Sequence, residues 1–192
     1  MVITAVEPMQ RGHQERLPVM VAELFRETGL KPRDLSHIGV TLGPGSFTGL
    51  RVGLSFAKGM ASGLGLGLKG IGTLEALNAH AGLAGRMPLA VIHGGRGNLY
   101  VKRGTDDART VAFADLAGFA ADNPFDVLTG PAVNEVKSQF PDTGVLAQDW
   151  PSLETLAAMA VAPGHDDVTP LYMRGADAVA STRGIISLAA AS

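Results

Sequence analysis

The stretch Gly43-Pro44-Gly45-Ser46-Phe47-Thr48-Gly49-Leu50-Arg51 decides how the chain is read. His37-Ile38-Gly39-Val40-Thr41-Leu42 leads into it as a short β-branched strand, and a helical pattern from about Leu50 to Leu64 leaves it. A strand-to-helix turn of this kind offers backbone N–H groups at a helix N-terminus and can hold an anion, with Gly43, Gly45, Ser46 and Thr48 placed to do so. The known phosphate-loop and nucleophile templates do not fit. No lysine follows the last glycine as a Walker loop requires. Gly43, Gly45 and Gly49 are spaced one residue too widely for the dinucleotide fingerprint. Ser46 directly follows Gly45, which breaks the Gly-x-Ser-x-Gly elbow. The plainer reading is that the glycines permit a sharp turn and close helix packing.

The helix after the turn carries its own signal. Gly49, Gly53, Ala57 and Ala61 recur every four residues, a stripe with almost no side chain that lets another backbone approach. Val52, Phe56, Met60 and Gly63 form a bulkier row, and Arg51, Ser55, Lys58 and Ser62 a polar face. A helix small or apolar on two faces calls for two neighbours. One can be its own sheet, the other an upstream helix or a partner protein. That upstream helix is predicted by Leu17, Met20, Val21, Leu24 and Phe25 at i, i+3, i+4, i+7, i+8 spacing, with Pro18 expected in its first turn and Gly29 as its stop.

Farther out, Val2 to Val6 alternates weakly and reads as a short strand, and Lys69–Ile71 as another. Thr73 can cap a helix through His80. Leu89–Ile92 and Leu99–Lys102 flank a glycine-rich turn, His93 to Asn98, and read as a hairpin. Asp126–Thr129 and Val145-Leu146 read as strands, and Ser152–Val161 as a helix. Alternating strands and helices predict an α/β fold with a lobe boundary near Pro88, giving lobes 1–88 and 89–192.

Composition narrows the function classes. The chain has 192 residues, 46% of them hydrophobic and 18% charged, so it can bury a core and is not a disordered polyelectrolyte. With 16 basic against 18 acidic side chains it has no basic footprint for a stand-alone nucleic-acid binder. It has no cysteine, which removes disulfides, thiolate metal sites and cysteine nucleophiles and suits a reducing cytoplasm. No apolar run reaches the ~18 residues of a membrane span, so no membrane role is expected. The five histidines, His13, His37, His80, His93 and His165, include no His-x-x-x-His pair. His13 and His37 read as residues at a helix start and a strand start. Asp106-Asp107 and Asp166-Asp167 read as solvated turn residues, Arg96 and Arg174 as solvated or packing arginines. No Ser-His-Asp signature supports a peptidase. No catalytic residue and no metal ligand is assigned.

Several segments taken in order resemble the TsaB (YeaZ) family: Arg11-Gly12-His13-Gln14-Glu15-Arg16-Leu17, the Gly43–Gly53 stretch, Lys58-Gly59, Thr73-Leu74-Glu75-Ala76-Leu77 and Pro170-Leu171-Tyr172-Met173-Arg174. The resemblance implies an actin-like, sugar kinase-like (ASKHA) fold of two α/β lobes. It also implies a non-catalytic role as partner of TsaD, with TsaE as third component, in placing threonylcarbamoyl on the tRNA adenosine beside the anticodon. Docking would use the helices Gln14–Thr28 and Leu50–Leu64. The partner-binding residues expected on them are Leu17, Met20, Val21, Leu24, Gly49, Val52, Gly53, Phe56, Ala57 and Met60. A homodimer through the same helices is expected without TsaD, and tRNA contact is at most indirect. No cofactor of its own is expected, ATP or ADP at the partner interface being allowed. Three departures stand out. The family's opening strand, its Asp-Thr-Ser-like turn and the hairpin partner strand are expected to be missing, which would leave Leu17–Phe25 without a floor. His93-Gly94-Gly95-Arg96-Gly97 replaces an Asp-Ala-Arg-Arg-Gly pattern, and the tail Gly184–Ser192 has no counterpart. The alternative function is an ATP-binding phosphotransferase or ATPase of the same fold, using Gly43–Gly49 and Gly94–Gly97 as phosphate loops.

Overall fold

The computed structural model describes residues 3–9, 11–81, 85–162, 168, 169, 171 and 173. Tyr172, Arg174, His165, Asp166-Asp167 and the tail Gly184–Ser192 lie outside them. Helix α1 (His13–Thr28) opens the regular structure, between Gly12 and Gly29. It starts before Leu17, so Pro18 is its sixth residue and not a first-turn proline. The missing Pro18 N–H removes one rung of the helix ladder, and the helix continues through it. Residues 3–6 form neither helix nor strand, which corrects the strand expected over Val2–Val6; Val2 itself lies outside the described residues.

Strand β1 (Ile38–Gly43), helix α2 (Phe47–Leu64), strand β2 (Leu68–Gly72) and helix α3 (Thr73–Ala81) follow, with β1 and β2 paired in parallel. Ser46 caps α2 by accepting a hydrogen bond from the Gly49 N–H at 3.3 Å, so the helix begins three residues before the predicted Leu50. Consecutive strand residues point to opposite faces. A Cβ on Gly39 would meet Ala160, whereas the position next to it, Val40, faces Gly53 of α2. The two-stranded sheet thus has α2 on one face and helix α6 (Leu153–Val161) on the other. The last described helix therefore returns to the first sheet.

The second sheet has order β5-β4-β3-β6-β7, from β3 (Pro88–Gly95), β4 (Asn98–Arg103), β5 (Arg109–Ala112), β6 (Val127–Thr129) and β7 (Gly144–Leu146). The β3–β4 and β4–β5 pairs are antiparallel, and the β3–β6 and β6–β7 pairs parallel. The hairpin is tighter than predicted. Its turn is Arg96-Gly97 alone, with φ of 52° and 75°, the left-handed pair of a two-residue hairpin turn. Period-2 alternation sorts the core. Leu89, Val91, Leu99, Val101 and Leu128 bury one face against α4 (Leu116–Asp122) and α5 (Val133–Val136). Ala90, Ile92 and Tyr100 bury the other against Leu74 and Leu77 of α3. Strand β5 and helix α4 have no counterpart in the sequence reading.

Candidate docking seam and interlobe cleft

Helix α1 is amphipathic, yet none of its residues is buried. Leu17, Met20, Val21, Leu24 and Phe25 are all half-buried. The helix lies along α2 and leaves three hollows around the seam. An outer groove of about 490 Å³ is lined by Gln14, Leu17, Pro18, Arg51, Val52 and Phe56. A second, of about 340 Å³, lies at the helix starts between His13, Leu17 and Met20 on α1 and Gly49, Val52 and Gly53 on α2. Beneath α1 an apolar cavity of about 640 Å³ separates Val21, Leu24 and Phe25 from Val40, Phe56 and Met60. All ten predicted partner-binding residues border this seam or the cavity under it.

One of the ten does not offer surface. Ala57 is only 7% exposed and packs with Leu54, Ala61 and Leu68 in the chain's own core. The small-residue stripe is split accordingly. Ala57 and Ala61 press on the sheet, Gly53 lies between Val40 of β1 and the second hollow, and Gly49 borders only that hollow. Half of the stripe is thus committed to the chain's own core, and what stays open is the groove on either side of α1.

Charge at the seam is organised by Arg16. Its Nε reaches Glu7 at 2.7 Å and its Nη2 reaches Glu23 at 3.0 Å. The hydrogen bonds it donates to Glu23 and then Glu7 hold the guanidinium above its ordinary pKa, and the bond accepted from Arg16 holds Glu23 below the usual carboxylate value. On α2, Arg51 lies over the Phe47 ring at 3.7 Å, and Phe47 is 53% exposed. The four-residue spacing of this pair was the available sequence signal. The Glu7–Arg16 contact had none, because Glu7 stands outside the helix.

The glycine-rich turn opens on a different space. At Gly43 φ is 98° and a Cβ would come within 2.8 Å of Leu50, so only glycine fits. Gly43 is buried, whereas Gly45, Ser46 and Thr48 are exposed. Gly45 and Ser46 border an interlobe cleft of about 740 Å³ with Thr73, His93, Asp149 and Trp150. The charged side chains lining it are Glu7 and Asp149, with His93, and no lysine or arginine does so among the described residues. The Ser46 hydroxyl is committed to capping α2. His93 stands 3.5 Å from Glu135. Among the described residues no group of three or more metal-ligating side chains converges, and no helix is long and apolar enough to cross a membrane. At the chain's far end the Leu171 N–H donates to the Leu42 carbonyl at 2.9 Å, and Met173 packs on the α3 cluster. Leu171 is thereby tied to the end of β1.

Residues 7–165 match the family model of TsaD, tRNA N6-adenosine threonylcarbamoyltransferase. The Bacillus subtilis tRNA threonylcarbamoyladenosine biosynthesis protein TsaB is 27% identical over 185 residues, covering 95% of this chain and 68% of that protein. A tRNA N6-adenosine threonylcarbamoyltransferase of Cereibacter sphaeroides is 37% identical over 118 residues, which are 59% of this chain and 31% of that protein. The alignment thus spans about a third of the enzyme's length. A Pseudomonas aeruginosa protein described as similar to peptidase YeaZ superposes with a TM-score of 0.69 at 22% identity, over 85% of each chain. That likeness and the family match together show the actin-like α/β fold.

Proposed function

The chain belongs to the TsaD family, on its TsaB (YeaZ) side, and on that premise we propose that it serves threonylcarbamoyladenosine formation in tRNA as a scaffold. In this reading it has no chemistry of its own. It holds and activates a TsaD-type subunit through α1 and α2, TsaE joins the same assembly, and tRNA is contacted only through the complex.

The observation that carries the reading is the α1–α2 seam. An amphipathic helix with five half-buried apolar side chains and none buried retains non-polar surface that a partner helix can cover. Removing that surface from water contributes about 25 cal/mol per Å². Leu17, Met20 and Val52 border the open groove, and Gly49 and Gly53 allow close approach there. Without TsaD the same face is proposed to pair with a second copy.

The test is association of the chain with a TsaD-type subunit, followed by size exclusion and calorimetry. Met20→Asp and Val52→Asp place a carboxylate in the groove. Each is expected to weaken the complex at least tenfold with circular dichroism unchanged. Full-strength association by both variants would overturn the reading. Ala57→Phe is unsuited to this test because it overfills the core.

Nucleotide turnover in the interlobe cleft is the alternative, and the cleft supports it less. Two carboxylates and no lysine or arginine line it among the described residues, so phosphates gain no cationic side chain there. ATP or ADP at the partner interface remains part of the proposal, and calorimetry with ATP and Mg²⁺, with and without TsaD, checks it.

A further inference from the structure

We infer that residues 3–9 act as a strap that masks one end of the α1–α2 groove and leaves it when a partner docks; the inference rests on the docking function proposed above. The segment forms no helix or strand, and residues 3–8 are exposed. Met9 alone among them is half-buried. Met9 and Glu7 form one wall of the hollow whose other walls are Leu17 and Met20 of α1 and Val52 and Gly53 of α2. A helix laid into the groove at Gly49 and Gly53 would need the volume these two side chains border.

The strap is held by a contact suited to release. Glu7 accepts from Arg16 at 2.7 Å, but the two side chains keep 42% and 33% of their surface in water. Arg16 also holds Glu23 at 3.0 Å, so it keeps a carboxylate partner on its own helix when Glu7 departs. Detachment therefore leaves no unpaired cation at the seam. The strap has a second face as well. Ala5, Val6 and Glu7 border the interlobe cleft, and Ile3 borders the cavity under α1. Displacing the strap at the groove therefore alters the lining of the cleft as well, which couples the two spaces.

An exposed ion pair of this kind is weak, so the mask is expected to cost about two- to fivefold in partner affinity. Calorimetry with a TsaD-type subunit on the full chain measures it, using Glu7→Gln and Met9→Ser beside the unaltered protein. Both variants are expected to bind more tightly by that factor, and Glu7→Gln to lose the part of the salt dependence that the pair supplies. Unchanged or weaker binding by both would overturn the strap, showing residues 3–9 to be inert or themselves a contact. If no form binds, including the unaltered chain, the docking function fails and the strap with it. Binding without a strap effect removes the strap alone.

Discussion

The two sheets of this molecule bury their cores to different depths. In the five-stranded sheet Leu89, Val91, Val101 and Leu128 retain no exposed surface, nor does Leu116 of the covering helix α4, and helices cover both faces. Around the two-stranded sheet Leu68 of β2 and Leu54 of α2 keep 8%, and α1 buries nothing over a cavity of about 640 Å³. The difference teaches where each region's free energy resides. The second lobe draws its stability from its own interior. The first holds apolar surface in reserve, available to whatever covers the seam.

The sharpest way to break that contrast is to truncate one leucine in each region. Leu128→Ala empties a sealed site and is expected to lower unfolding stability by about 2–5 kcal/mol. Leu24→Ala removes a side chain already half in water and beside a hollow, so about 1 kcal/mol or less is expected. Urea unfolding midpoints of the two variants measure it. Equal losses would mean that α1 is packed as firmly as the central strands.

Glycines sharpen the same comparison at smaller magnitude. Gly130, in the second lobe, has φ of 105°, and a Cβ there would collide with the Val91 carbonyl and crowd Leu77. Gly130→Ala is therefore expected to destabilise by about 1–3 kcal/mol. Gly59 sits in the interior of α2, is exposed, and has nothing within 4 Å of its Cβ position. Gly59→Ala is expected to stabilise by up to about 1 kcal/mol through helix propensity. Opposite signs in thermal unfolding would confirm that one glycine serves backbone geometry and the other serves none in the isolated chain.

How much of this was legible in the sequence depended on the range of the signal. The strand–turn–helix around Gly43 and the apolar face of α1 were readable because their residues repeat at strand and helix periods. Arg109–Ala112 was not, because four residues with an exposed start carry no alternation that separates them from a loop. Pro18 was placed in a first turn because the apolar pattern starts at Leu17, whereas His13 to Arg16 extend the helix on polar residues alone. Nine of the residues named from the helical spacing border the hollows around α1 and α2 without belonging to the buried core. Ala57 was drawn with them because a four-residue period reports a small face without telling whether a sheet or a helix lies against it. Arg16 was read within the Arg11–Leu17 motif. Its double contact with Glu7 and Glu23 needs one partner outside the helix, and no local pattern encodes that.

That contact gives the smallest and most local expectation. The Arg16 hydrogen bond holds the folded Glu23 carboxyl below its ordinary value of 4.5. A depressed folded pKa means the carboxylate's contribution is full above the unfolded pKa and is lost as pH falls through the folded one. The loss thus begins near pH 4.5 and completes in more acid solution. Arg16→Gln removes the cause, so the Glu23 titration followed by carboxyl-carbon NMR is expected to move up toward 4.5. The strap should respond with it, because Glu7 loses the same guanidinium. If Glu23 titrates unchanged in that variant, Arg16 does not organise charge at the seam, and the first lobe's open face is held by apolar contact alone.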